Sequence, residues 1–434
     1  MNYPVWQLEF AGGGLLIAII AIIHVYISHF AVGGGLFLVL TEHKGLREKN
    51  RQILDYVHKH TRFFLLLTMV LGALTGVGIW FTISVLNPAA VSTLVHLFVF
   101  AWAVEWLLFL AEIISLFIYY KTFDRVSERT HLIFGWIYFA TAWLSLFVIN
   151  GIIAFMLTPG EWLETANFWD AYFNPTFWPS LFFRTFLALM IAGLFGFMTS
   201  SWLKEEKLRT NMIRYCAKWL VAPFILFIAS AWWYKGALPT HVQEMIFNKM
   251  PELKLFIKLF LVCSPLIVLG TLVMAIKMPA KISRPLAAAM LVIGIVYMGA
   301  FEFIREGGRR PYIIYDYMYT TSIKKSDLPK VQVAGVLQEA KWVKSREITE
   351  TNKAEVGREL YNILCLSCHS VGGPMNDIKK LAGKFKPRAM RSIYMSMGQG
   401  QENYRGKARP FMPPFAGTKE EQEALTSYIF DELL

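Results

Sequence analysis

The sequence predicts an all-α protein: a polytopic bundle of about eight transmembrane helices followed by a small soluble helical module. Three observations carry this. The 434 residues are 55% hydrophobic and only 17% charged, against roughly 25% charged in a soluble globular chain. Eight apolar runs are long enough to cross a bilayer, which takes about 20 residues each. Lys and Arg collect in alternate connections between those runs. The composition excludes disorder, a collagen-like repeat and a disulfide scaffold, because apolar content is high, Gly has no period and there are four Cys. The net charge of +12 sits between apolar spans, so it marks topology rather than nucleic-acid binding.

The first run, 13–40, lacks the basic start and small-residue cleavage site of a secretory signal, and reads as an uncleaved span. Its Gly12-Gly13-Gly14 and Gly33-Gly34-Gly35 permit close approach of another helix or a flat cofactor. Spans follow at 63–86, 92–120, 132–158, 180–203, 216–234, 254–277 and 284–304. The first connection carries Lys44, Arg47, Lys49, Arg51, Lys59 and Arg62, and the third Lys121, Arg125 and Arg129. Lys204, Lys207, Arg209 and Arg214 mark the fifth, and Lys277, Lys281 and Arg284 the seventh. The connections between are nearly bare: 87–91 and 159–179 have no Lys or Arg, and 235–253 has Lys235 and Lys249. By the positive-inside rule the odd connections face the cytoplasm, which puts the N-terminus and C-terminal module outside. Trp162, Trp169, Tyr172 and Trp178 in 159–179 suit an interfacial aromatic belt. The expected division is a membrane domain over 1–312, a linker over 313–350 and a soluble domain over 351–434, the last long enough for one compact module.

That module contains Cys365-Leu366-Ser367-Cys368-His369, the Cys-x-x-Cys-His attachment site of a covalent haem c. Two thiols three positions apart on one turn add to two vinyl groups, and the adjacent His reaches the iron. Phe411-Met412-Pro413-Pro414, about 40 residues on, offers Met412 as the distal ligand; Met375, Met390, Met395 and Met397 compete for that role. A zinc site wants two further Cys or His nearby, and a redox dithiol wants a βαβ pattern; the tail supplies neither. The haem attachment points to a cytochrome c domain outside a bacterial inner membrane, in agreement with the loop charges. Cys216 and Cys263 fall within spans and read as packing residues.

Ionisable side chains inside a span are costly and are functional candidates by default. The first span holds His24 and His29, five residues apart and so about 140° around the helix. The third holds Glu105 and Glu112, seven apart on one stripe, with His96 near its outer end. Two carboxylates on one stripe suit a proton path, an iron neighbour or a structural hydrogen bond. Arg184, Lys258 and the run Glu302, Arg305, Glu306, Arg309 and Arg310 complete the set.

Taken in order, these residues resemble subunit I of the cytochrome bd oxidases over about 300 residues. The likeness runs from Gln7-Leu8-Glu9-Phe10 and His24 through Gly33 and Glu42 to Gly72-Ala73-Leu74-Thr75-Gly76. It continues at Ala103-Val104-Glu105-Trp106, Glu112 and Asn150-Gly151, and ends in Arg305-Glu306-Gly307-Gly308-Arg309-Arg310-Pro311-Tyr312. The resemblance implies His24 as axial ligand of the oxygen-site haem, Glu105 beside that iron and Glu112 on the proton route. It implies Glu306 as ligand of a neighbouring haem b and Arg309 on a propionate, which suits a guanidinium fork. It also implies one or more b-type haems, with haem d an option, and a second membrane subunit. Three departures stand out. The family's low-spin haem ligands fall on Arg184 and Phe260, its long quinol-binding loop shrinks to about 20 residues (235–253), and the ninth helix gives way to the linker and haem c module. His29 and His96 are extra imidazoles, either of which could ligate a rearranged haem.

The expected function is therefore membrane redox between haem c and buried b-type haems. The first form is a bd-like terminal oxidase fed by a periplasmic carrier such as a c-type cytochrome, with catalysis at His24, Glu105 and Glu112. The alternative is a non-oxidase electron-transfer subunit that links periplasmic cytochromes or quinone to a catalytic partner. A third form only anchors the c domain in the membrane. No nucleic-acid partner is expected.

Overall fold

The computed structural model describes residues 1–434 apart from 2, 7, 251–252, 375 and 384–411. The described residues are helical, with a single isolated bridge between Met318 and Lys324. Eight helices are long and apolar enough to span a bilayer: α1 (Gly12–Arg47), α2 (Arg51–Leu86), α3 (Val99–Thr122), α4 (Glu128–Phe155), α5 (Phe177–Ser201), α6 (Glu206–Ala237), α7 (Leu253–Met274) and α8 (Ala280–Gly308). Side-chain caps start two of them: the Asn50 carboxamide accepts the Gln52 N–H at 3.0 Å and the Ser127 hydroxyl that of Thr130 at 3.2 Å. The expected run 92–120 is broken at its outer end. Pro88 starts a separate helix, Pro88–Leu97, and Phe98 turns the chain before α3 begins; a Pro at the first helical position favours such a start. α2 contains a π-helical stretch at Leu67–Gly72, which shifts the faces of its two halves against each other.

α1 is the hub. Without a hydrophobic drive between helices in lipid, close packing at small residues holds a bundle together, and Gly33-Gly34-Gly35 serve three neighbours in turn. A Cβ on Gly33 would run into the Ala188 carbonyl of α5, one on Gly34 would lie 2.5 Å from the Phe64 ring of α2, and one on Gly35 2.6 Å from Tyr138 of α4. The glycines thus answer to helices rather than to a flat cofactor. The α4–α5 connection is pinned by buried amides. Asn150 donates to Phe177 O at 2.8 Å and accepts from Ser180, while Asn174 donates to Gly151 O and Ala171 O.

The C-terminal module is built on α9 (Lys353–Leu364) and α10 (Lys419–Ser427). They cross at Gly357, where a side chain would meet the Ala424 carbonyl. Val356, Leu360, Tyr361 and Ile363 pack with Ala424, Leu425 and Ile429. Ile323, Val331, Val336, Leu337 and Ala340, from the segment expected as a linker, belong to the same core. The buried Glu421 carboxylate accepts the N–H groups of Val336 and Leu337 at 2.9 and 2.7 Å and closes a capping box with Thr418. The segment is therefore part of the module's packing.

Residues 1–11 clasp this module to the bundle. Trp6 N–H donates to Val85 O of α2 at 2.9 Å, Val371 N–H donates to Glu9 O at 2.7 Å, and the Glu9 carboxylate pairs with Arg358 at 2.5 Å. That carboxylate raises the Arg358 guanidinium above its ordinary range.

Gly33→Ala should destabilise the bundle by about 1–3 kcal/mol, because the neighbour is main chain that cannot swing away. Gly236→Ala, which meets nothing within 4 Å, should be neutral or slightly stabilising. Detergent-phase melting curves compare the two, and equal midpoints would refute this account of the glycines.

Candidate functional site

His24 of α1 faces α2. Thr75 donates its hydroxyl to Leu71 O at 2.7 Å, so its oxygen is left to accept from His24 Nδ1–H at 3.2 Å. The proton then sits on Nδ1 and Nε2 keeps its lone pair, which is the form an iron ligand needs. Gly76 gives the imidazole room, since a Cβ there would lie 3.1 Å from His24 Cε1. Across the bundle, Glu105 of α3 accepts from Ser145 of α4 at 3.2 Å, and Glu112, buried one stripe below, shares Ser145 as a partner. The expected pair of carboxylates is thus linked through one hydroxyl, which the spacing of acidic residues alone could not reveal.

A second cluster lies around His29. Its Nδ1–H donates to Val25 O at 2.7 Å, and its buried Nε2 has no partner among the described residues. Arg184, Glu302 and His24 are its electrostatic neighbours. Arg184 of α5, 2% exposed, stands 3.7 Å from Glu302 Oε1, and Arg305 reaches Glu302 Oε2 with two nitrogens at 2.9 and 2.6 Å. One turn on, Glu306 is held by Arg309 on one oxygen and by Arg310 on the other, the latter at 2.6 Å. Arg309 also donates to Met156 Sδ. Four buried guanidinium groups thus face two carboxylates, leaving two positive charges over. Arg184 Nε, Glu302 Oε1, Arg305 Nη1, Arg309 Nε and Arg310 Nη1 all lack partners among the described residues. Uncompensated buried charge and unsatisfied donors are expensive, and a group with two carboxylates, as haem has in its propionates, fits this excess. Glu306 engages both oxygens with arginine, although each oxygen retains a second lone pair. Phe260 stacks on Tyr297 with centroids 4.4 Å apart, so packing fills the position expected to be altered. His96 stands apart: it lies on the Pro88–Leu97 helix outside the spans, exposed, with Nδ1 on Ser92 O.

Directly after α9, Cys365, Cys368 and His369 form one turn. Cys368 N–H and His369 N–H both donate to Cys365 O, at 3.0 and 2.9 Å. His369 Nδ1–H donates to Asn376 O at 3.0 Å; a carbonyl only accepts, so the lone pair stays on Nε2. Burial and the neighbouring Cys368 push the Cys365 thiol up to about 12, unlike the low-pKa thiol of a redox dithiol. No group of three or more His, Cys, Asp or Glu among the described residues could hold a metal ion, which argues against zinc. Met412 is half-buried, beside an anchor in which Tyr319 donates to Pro414 O at 2.7 Å. Met375, Met390, Met395 and Met397 lie outside the described residues. The Arg310 guanidinium, bonded to Glu306, also has Cys368 as an electrostatic neighbour. Sequence reading missed this contact, which joins positions 58 residues apart that share no periodicity.

The sequence profile of the family described as cytochrome bd terminal oxidase subunit I matches residues 15–245. No curated protein matches the chain. Among solved structures the chain is similar to the bd oxidase from Geobacillus thermodenitrificans, at 16% identity and a TM-score of 0.60, over 75% of this chain and 94% of that one. At that identity the likeness is one of fold. The profile, however, covers more than half of the chain and includes His24, Glu105, Glu112 and Arg184; the chain belongs to the cytochrome bd terminal oxidase subunit I family.

Proposed function

We propose that this chain is the haem-bearing subunit of a bd-like terminal oxidase that takes its electrons through a haem c on the C-terminal module and reduces dioxygen at the His24 end of the bundle. The observation that supports it most is Arg310, whose guanidinium is bonded to Glu306 of the buried cluster and has Cys368 of the attachment turn as an electrostatic neighbour. In this reading Cys365 and Cys368 would hold haem c, with His369 and Met412 as the side chains offered to its iron. His24 ligates the oxygen-site haem, and Glu306 and Arg309 serve a second, b-type haem. Haem bound at these groups supplies one-electron transfer and, at an open coordination position, dioxygen reduction.

The chain's own residues do the rest. Thr75 fixes the His24 tautomer, and Ser145 carries a proton between Glu112 and Glu105. Arg184, Arg305, Arg309 and Arg310 neutralise buried carboxylates. The short connection 235–253 supports a donor other than quinol: a periplasmic c-type cytochrome meeting the module outside a bacterial inner membrane, with a second membrane subunit alongside.

The buried, unpartnered His29 Nε2 favours a second reading. There His29 would also hold a membrane haem, leaving its iron no open position, and the chain would pass electrons to a catalytic partner. A reduced-minus-CO difference spectrum separates the two. A CO response from a b- or d-type haem supports the oxidase, and silence from haems that are present selects the electron-transfer subunit.

His24→Ala should abolish oxygen consumption with the haem c spectrum intact; unchanged turnover would sink the assigned site. Arg310→Leu should slow reduction of the membrane haems by reduced haem c at least tenfold in stopped flow at equal haem content. An unchanged rate would show that the Glu306–Arg310–Cys368 contact plays no part in transfer.

A further inference from the structure

We propose that Glu42, His131 and Tyr119 form a buried proton-holding station that supplies Glu112 from the basic end of the bundle. The oxidase reading assigns the direction of supply, and to that extent the inference rests on it. Glu42 (α1) and His131 (α4) are each 4% exposed, and Tyr119 (α3) 1%. Tyr119 donates its hydroxyl to Glu42 Oε2 at 2.6 Å. His131 Nδ1 meets Glu42 Oε1 at 2.6 Å, and His131 Nε2 meets Tyr119 O at 2.9 Å.

The geometry dictates the proton count. A backbone carbonyl only accepts, so Nε2 carries a hydrogen. If Nδ1 were then bare and Glu42 ionised, a lone pair would face a carboxylate oxygen at hydrogen-bond distance, and the contact would repel. The pair therefore holds one labile proton between them, on imidazole or carboxyl.

Ionisable groups lie on both sides of the trio. Tyr119, Ser115 and Glu112 are spaced four and three apart on α3 and share a face, and Glu112 shares Ser145 with Glu105. Toward the basic end, the titratable and charged groups facing His131 are His58 of α2 and Asp124 of the α3–α4 turn. His58 stacks on Phe123, centroids 4.5 Å apart, and Phe123 in turn lies edge-on to His131 at 4.2 Å. Asp124 is exposed and paired with Arg51 at 2.5 and 2.7 Å. That guanidinium holds its carboxyl below the ordinary range, so Asp124 stays ionised at the surface.

For each electron that enters the buried cluster, one proton leaves the pair for Glu112, which leaves Glu42 as carboxylate and His131 neutral. One proton from solvent restores the pair. Only N–H and O–H bonds are made and broken.

The test reduces the purified, haem-loaded protein anaerobically in weak buffer with a pH-indicator dye and follows proton uptake per electron. Wild type should take up protons in step with reduction. Glu42→Gln and His131→Phe should each slow uptake at least tenfold, with unchanged haem spectra. Tyr119→Phe keeps the carboxylate–imidazole pair but removes the hydroxyl on its Glu112 side, and should slow uptake as well. Should Glu42→Gln fail to assemble, Glu42→Asp, too short to span both partners, carries the same expectation. Uptake at the wild-type rate in the Glu42 and His131 variants overturns the station. Because no dioxygen is present, that failure is distinct from loss of the oxidase reading, which the His24 variant and the CO spectrum decide.

Discussion

Buried charge in a low-dielectric bundle must be balanced, and at the C-terminal end of α8 the chain's own side chains leave that balance open. Glu302 and Glu306 answer two of the four guanidinium groups around them, and several nitrogens there find no acceptor among the described residues. Such a cluster persists only if something anionic completes it or if the surrounding packing bears a cost of several kcal/mol. This constraint orders the rest of the arrangement. It explains why α5 contributes an arginine where packing alone would take leucine, and why His29 sits beside that arginine with one nitrogen unsatisfied. It also explains why the chain leaving α8 delivers Arg310 straight to the Cys-x-x-Cys-His turn.

Much of the architecture was legible in the sequence because lipid imposes strong rules on composition. Eight runs of about 20 apolar residues predict eight spanning helices, and eight are observed. What escaped was local. The outer boundary of the third run is set by Pro88 and by the turn at Phe98, which hydropathy averages over. His96 consequently looked like a residue at a span's edge but sits exposed on a separate helix. Residues 323–340 are polar enough to pass for a linker, yet five of their apolar side chains are buried in the module's core.

The candidate site divides in the same way. Residue types whose chemistry is rare in a membrane, such as His24, Glu105 and Glu306, announced themselves by position. Their partners did not, because Thr75, Ser145 and Arg310 gain meaning only from tertiary contacts. The Glu42–His131 pair is the plainest case. Glu42 stood in the resemblance as one matching residue among many, and nothing in the sequence singled out His131 at the start of α4. Only the closeness of three helices, permitted by Gly135 against Tyr119 and Val39, joins them.

The clasp formed by residues 1–11 bears on how the module works. Its bonds to Glu9, its packing under Phe10 and its contact with Arg310 leave it seated on the bundle rather than hung from a leash. On the proposed function, a seated module would not swing between donor and acceptor, and its distance to the buried cluster would be constant. A donor would then travel to the module, and partner choice would be a matter of surface shape and charge instead of tether length.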